Sequence, residues 1–238
     1  MFDTIQFYYD TVDKFHEQYL LEITNHSFSD KKPHWKARKL SNFWVWTSSN
    51  GRLHVRGSLA KYHLGNNIEH LSTEEIEQAV QSLCSKLMIK PEGCKLTQLD
   101  IGITFRMNHP VLHYQDCMWY CKYLPRWTKG SSIYFGKESR VLNIYDKLVE
   151  ADHSGMIIPD SFQEHHLLRY ECRYEGNIDE RFKRSDSTLD LLYDGLFVHE
   201  AIENYVSEFN NIRMFAGLDN SSLIGTSTAE AIKHDYAR

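Results

Sequence analysis

The chain has 238 residues, of which 42% are hydrophobic and 13% aromatic, with a formal net charge of −5. That composition excludes a disordered chain and supplies a full core for one large domain or two small ones. No apolar run approaches the roughly 20 residues that cross a bilayer, and the opening MFDTIQFYYD lacks the basic-then-apolar order of a signal peptide, so a cytoplasmic protein without a membrane partner is expected. The five cysteines form no CxxC pair, which points to reduced thiols rather than a disulfide framework or a zinc ribbon.

Taken in chain order, the first distinctive segment is Lys31–Tyr62. It holds Lys31, Lys32, Lys36, Arg38, Lys39, Arg52, Arg56 and Lys61, with no Asp or Glu, among Trp35, Phe43, Trp44 and Trp46. Cations interleaved with aromatics suit phosphate contact and base stacking; a solvated hairpin with core aromatics has the same composition. Within it, NFWVWTSSNGRLHVRGS reads as a hairpin around Asn50-Gly51. Ser72–Met88 reads as an amphipathic helix: Ser72 and Glu75 have capping-box spacing, and Ile76, Ala79, Val80, Leu83 and Leu87 form a stripe. Leu96–Phe105 reads as a strand. Val111–Leu124 is predicted helical with Tyr114, Cys117, Met118 and Cys121 inward, the two cysteines being core residues rather than a metal pair. Ser131–Gly136 and RVLNIYDK form two more strands, His166–Glu175 another, and Thr188–Ile212 a long helix. The expected class is α+β, a largely antiparallel sheet with helices on one face and a polar face left open. One domain is expected over 1–215, followed by a weakly packed tail over 216–238.

The strand phases define the open face. Leu99, Ile101, Ile103 and Phe105 alternate with Asp100, Gly102 and Thr104; Leu142 and Ile144 with Asn143, Tyr145 and Lys147; Leu168, Tyr170, Cys172 and Tyr174 with Arg169, Glu171, Arg173 and Glu175. If the apolar sides share a core, Asp100, Tyr145, Lys147, Arg169, Glu171 and Arg173 share a surface. Gly102 leaves room there for a close-approaching ligand. Asp and Glu are hard oxygen ligands for Mg²⁺ or Mn²⁺, Arg and Lys hold phosphates, and a tyrosine hydroxyl becomes a nucleophile once a neighbouring cation lowers its pKa. These are parts of a DNA-nicking phosphotyrosyl transferase. Alternating charges on a solvent face give the same pattern.

Four segments also carry a resemblance. VRGSLAKYHLGNN (55–67), LTQLDIGITF, SSIYFGKESRVLNIYDKLVE (131–150) and LLRYECRY (167–174) occur in order. Over about residues 1–175 the chain resembles the gene II/gene X replication proteins of filamentous phages and, more distantly, the plasmid replication initiation factors. The resemblance implies rolling-circle initiation: nicking of one origin strand by metal-dependent tyrosine transesterification, leaving a 5′-phosphotyrosyl link and a free 3′-OH. It makes Asp100 and Glu171 the ligands of Mg²⁺ or Mn²⁺ and Tyr145 the nucleophile, with Lys147 assisting and Glu150 completing the motif. Tyr134 is the rival nucleophile. Lys36, Arg38, Lys39, Arg52, Arg56, Lys61, Arg169 and Arg173 are the expected DNA contacts. DNA, single-stranded or as origin duplex, is the partner, with a host helicase and a second copy of the chain as further ones. Gly57, Ser58, Lys61 and Gly65–Asn67 match a GS..K…GNN segment assigned to DNA contact or packing. Phe105 and Val149 depart from the pattern of some relatives, and His165-His166 excludes the alternating two-histidine type of nicking site. The alternative is a DNA-binding relative that has kept the fold and lost catalysis.

Overall fold

The structure, a computed structural model, describes residues 1–10, 13–26, 37–176 and 178–214. Its strands are β1 (Phe2–Tyr9), β2 (Asn25–His26), β3 (Arg38–Leu40), β4 (Phe43–Thr47), β5 (Leu53–Ser58), β6 (Cys94–Met107), β7 (Met118–Cys121), β8 (Arg126–Lys129), β9 (Ser132–Lys137), β10 (Arg140–Asp146), β11 (His166–Glu175) and β12 (Ile212–Met214). The helices are α1 (Lys14–Ile23), α2 (Leu59–Leu64), α3 (Thr73–Leu87), α4 (Val111–Cys117), α5 (Lys147–Ser154), α6 (Ile178–Arg181) and α7 (Gly195–Asn210). The class is α+β. Where the sequence suggests one body over 1–215, the chain forms two compact units, and β6 and α7 each run from one into the other. Lys31, Lys32, Trp35, Lys36 and the tail expected over 216–238 lie outside the described residues.

The unit formed by Phe2–Asp100 and Glu175–Val198 has strand order β2-β3-β4-β5-β1-β6. Strands β1 to β5 pair antiparallel, with Trp44 opposite Arg56, Arg56 opposite Gln6, and Trp46 and Tyr8 both opposite His54. One face is apolar: Ile5, Phe7, Phe43, Val45, Leu53 and Val55 are at most 3% exposed. Each such side chain contributes about 1.5–3 kcal/mol on burial. Helix α2 lies on this face, where Tyr62 meets Phe43 edge-on at 5.5 Å. Helix α3 has the expected capping box at Ser72 and Glu75 and buries the predicted stripe plus Cys84. The hairpin turn is a looser one than Asn50-Gly51 alone predicts: Ser48 N–H donates to Arg52 O and Gly51 N–H to Ser48 O, with Gly51 at φ +77°.

The GS..K…GNN segment is scaffolding in this unit. A Cβ at Gly57 would lie 2.9 Å from the Phe43 Cα, so the strand crossing needs glycine. Ser58 caps α2 through Lys61 N and donates to buried Asp3 Oδ1, whose other oxygen accepts from Asn67 Nδ2 at 2.8 Å. Gly65 closes α2 at φ +78°. Asn66 Oδ1 accepts from the backbone of Ile68 and Glu69.

The second unit comprises Met1, Ile101–Tyr174 and the described residues from His199 on. Its order is β6-β11-β10-β9-β8, and β8 to β11 pair antiparallel. Leu142, Ile144, Phe135, Tyr170 and Cys172 are fully buried on one face, against Tyr205 of α7, which donates to Tyr170 O. Two helix predictions need correction. The predicted Val111–Leu124 helix ends at Cys117, because Met118–Cys121 pairs with β12 as a strand. The predicted Thr188–Ile212 helix breaks at Asp194-Gly195. Leu189–Tyr193 is a 3₁₀ turn, and Asp194 Oδ1 accepts from Phe197 N to start α7 afresh.

Candidate active site

The second unit gathers five of the predicted site residues, Tyr134, Tyr145, Arg169, Glu171 and Arg173, on its other face. Two straight cross-strand rows run over it. One is Trp127–Tyr134–Asn143–Glu171 and the next is Lys129–Ser132–Tyr145–Arg169. Between the rows the Tyr145 hydroxyl donates to Glu171 Oε1 at 2.8 Å. The same oxygen accepts from Arg169 Nε at 3.1 Å. The sheet register thus joins a tyrosine hydroxyl, a carboxylate that accepts from it and a guanidinium that holds the carboxylate in one chain of hydrogen bonds.

Strand β10 is held so that Tyr145 is its last but one residue. Gln115 of α4 donates to Ile144 O and to Ser131 O, both at 2.9 Å. Asp146 then accepts from Leu148 N and Val149 N and turns the chain into α5. This corrects the expectation that Lys147 continues the strand. Lys147 opens α5, is 0% exposed, and its ammonium lies 2.6 Å from Glu150 Oε2 and 5.8 Å from the centre of the Tyr145 ring. Buried there, it is paired with Glu150 at the foot of β10.

Two further expectations are corrected. Arg169 is 1% exposed, so it is no surface contact for DNA. Its Nη1 donates to Thr104 Oγ1 at 3.0 Å, and its guanidinium lies over Gly102. The space beside Gly102 is therefore filled by arginine, not kept for a ligand: a Cβ there would stand 2.6 Å from Arg169 Nη2. Arg173 stays half-buried, opposite Val141. Tyr170 is buried, and burial pushes its phenol pKa well up. Tyr134 lies parallel to Trp127, centroids 5.3 Å apart at 7°. Tyr145 itself is 8% exposed.

Asp100 belongs to the other unit, where it is buried and its Oδ1 accepts from Gln98 Nε2 at 2.8 Å. Among the described residues no group of three or more His, Cys, Asp or Glu side chains converges as a metal cluster would. The two carboxylates expected to hold Mg²⁺ or Mn²⁺, Asp100 and Glu171, belong one to each unit.

In that first unit the sheet face turned away from α2 is aromatic and cationic. Trp46 stacks on His54 at 5.2 Å and 6°, Tyr8 lies 6.1 Å from His54, Arg52 caps the Tyr8 ring at 4.4 Å and Lys39 the Trp44 ring at 4.7 Å. Arg56 stands between Trp44 and Gln6. Burial, with the Arg52 charge second, lowers the His54 pKa and keeps it neutral near pH 7. Arg52 pairs with Asp10 at 2.6 Å. Arg38 and Lys61 do not join this face: Arg38 donates to Thr24 Oγ1, Thr24 O and Leu21 O at the end of α1, and Lys61 lies on α2.

The profile of the phage replication-associated protein family, drawn from the N-terminal region of its members, matches residues 12–191. The chain belongs to that family. Among solved structures it is similar to a rolling-circle replication initiator protein from Geobacillus stearothermophilus, with a TM-score of 0.52 and 12% identity over 100% of this chain and 96% of that one. A likeness at that identity speaks to the fold. No curated protein matches. In this member of the phage replication-associated family, Tyr145 and the strand carboxylate Glu171 are hydrogen-bonded within one unit. What the sequence reading misses is Arg169 as the residue that holds Glu171; the signal was available, since Arg169 and Glu171 are two apart on one strand and therefore on one face. No helix among the described residues is long and apolar enough to cross a membrane.

Proposed function

We propose that the protein is a rolling-circle replication initiator that nicks one DNA strand, with Tyr145 as nucleophile. The observation that carries this is the Tyr145–Glu171–Arg169 hydrogen-bonded relay in a chain of the phage replication-associated family. In the step, Tyr145 Oη attacks phosphorus and gives its proton to Glu171. The bond from phosphorus to the 3′ oxygen breaks, that oxygen takes up a proton from water, and a 5′-phosphotyrosyl ester replaces the phosphodiester. Bond energy is conserved, so the reverse attack by a 3′-OH reseals the strand. Arg169 fixes the carboxylate against rotation. Lys147, through Glu150 and the underside of the Tyr145 ring, positions the strand end.

A divalent ion, Mg²⁺ or Mn²⁺, would add charge neutralisation on the phosphate. Magnesium is commonly held by one or two carboxylates plus substrate phosphates; Glu171 offers such an oxygen in this unit, and Asp100 carries the same donor chemistry in the other. Lys39, Arg52 and Arg56, with Trp44, Trp46 and Tyr8, fit backbone and base contact with single-stranded DNA.

A second reading has one observation behind it. Tyr145 is only 8% exposed and Lys147 is sealed, which suits a DNA-binding relative whose relay has become structural. Incubation with a pool of single-stranded oligonucleotides and Mn²⁺, followed by mass spectrometry of DNA-linked peptides, separates the two. A Tyr145 adduct that disappears in Tyr145→Phe is expected. Adduct on another tyrosine moves the nucleophile; cleavage without adduct and undiminished in Tyr145→Phe ends the mechanism; DNA binding without cleavage establishes the second reading.

A further inference from the structure

Trp127 and Tyr134 form the outer end of the row that contains Glu171. Strand β8 is the edge of its sheet, and all four of its residues are exposed. Trp127 is 40% exposed. No core explains a tryptophan there, and its ring is already held flat by Tyr134 beneath it. Lys129, two residues on and therefore on the same face, is an exposed cation.

We infer that Trp127, Tyr134 and Lys129 form a nucleotide subsite that stacks one base of single-stranded DNA and steadies its phosphate. The inference deepens the proposed function and rests on the reading that this chain handles single-stranded DNA. Neighbouring strands are about 4.8 Å apart, so Tyr134 stands about 10 Å and Trp127 about 14 Å along the row from Glu171. At that distance the stacked base belongs to a nucleotide close to the scissile phosphate, not to a remote recognition site. Stacking is tolerant of base identity because every base has a π-face. The subsite therefore fixes where the strand lies relative to Tyr145 without choosing its sequence. It also accounts for Tyr134 without making it a nucleophile: its ring is the floor on which Trp127 is presented.

The probe is a dT oligonucleotide beside an abasic oligonucleotide of equal length, with affinities measured for the full chain and for Trp127→Ala and Trp127→Phe. The unmodified chain should prefer dT, and Trp127→Ala should lose about 5- to 150-fold of that preference, the stacking of one base. Affinity for the abasic chain should be unchanged, and Trp127→Phe should retain most of the preference. A merely structural cross-strand pair lowers the melting temperature and leaves the preference alone, which overturns the inference. Photo-cross-linking of a 5-iodouracil oligonucleotide to the unmodified chain needs no variant to fold; it should mark the peptide holding Trp127 or Tyr134, and marking only other peptides overturns the subsite. Absence of a Tyr145 adduct with the base preference intact sinks the catalytic reading and spares the subsite. Adduct formation with an unchanged preference in Trp127→Ala does the reverse.

Discussion

Gly102→Ala adds one methyl group and should disturb the site through Arg169. The new Cβ would stand 2.6 Å from Nη2, 2.9 Å from Cζ and 3.0 Å from Nε of Arg169, so the whole guanidinium meets it and no small rotation relieves it. The guanidinium is also tethered at Thr104 Oγ1 and Glu171 Oε1, at 3.0 and 3.1 Å. If the arginine stays, the cost is overpacking, about 1–3 kcal/mol. If it is expelled from Glu171, a buried ion pair is broken, a cost of about 3–5 kcal/mol. A loss of about 2–4 kcal/mol is expected, which lowers the melting temperature by about 2–4 °C per kcal/mol in a chain of this size. Urea denaturation supplies the first measurement and the yield of Tyr145–DNA adduct the second. Removing the arginine in the double variant Gly102→Ala/Arg169→Met should cost less than the sum of the single changes, because the collision is gone. Strict additivity, or a Gly102→Ala chain as stable and as active as the original, would refute the reasoning that arginine occupies the glycine's space.

Asn67→Ala strips one donor from buried Asp3 and should cost about 1–3 kcal/mol in urea denaturation; a cost near zero means that water replaces the amide. Lys39→Ala/Arg56→Ala should weaken binding to single-stranded DNA and flatten the logarithmic salt dependence by about 0.7 for each phosphate no longer neutralised; an unchanged slope removes that face from the DNA surface. Burial raises the Asp179 pKa, but the Lys95 ammonium 2.8 Å away pulls it the other way, and the net shift is downward. A depressed folded pKa means the carboxylate's contribution is present above the unfolded value of about 3.9 and is lost as pH falls through the folded one. Lys95→Met should therefore reduce the stability difference between about pH 6 and about pH 3; equal pH dependence in both chains counts against this ion pair.

Strand phase makes the chemistry legible, because a period of two depends only on alternation within one segment. That is why Tyr145, Glu171 and Arg169 share a face in the sequence pattern and in the fold alike. What alternation cannot give is depth, and here it misleads: Arg169 and Lys147 look like surface cations in the sequence but are covered by what packs beside them. The α3 cap is readable because Ser72 and Glu75 satisfy each other locally. The end of α4 is not, since Met118–Cys121 becomes a strand only by pairing with residues about ninety positions away. Ser58 and Asn67 are visible as a motif, yet their purpose depends on Asp3, 64 residues before Asn67.

The burial of the thiols has a practical corollary. Cys84, Cys94, Cys117, Cys121 and Cys172 form no disulfide, and each is at most 7% exposed. Burial further disfavours the thiolate at Cys117 and Cys121, and thiolate is the form that alkylates. The native surface is thus silent toward maleimides. A single cysteine introduced at an exposed position such as Leu112 or Leu196 can carry a dye or a spin label with every natural cysteine left in place, and unwanted labelling of the others becomes a clock for how often the fold opens.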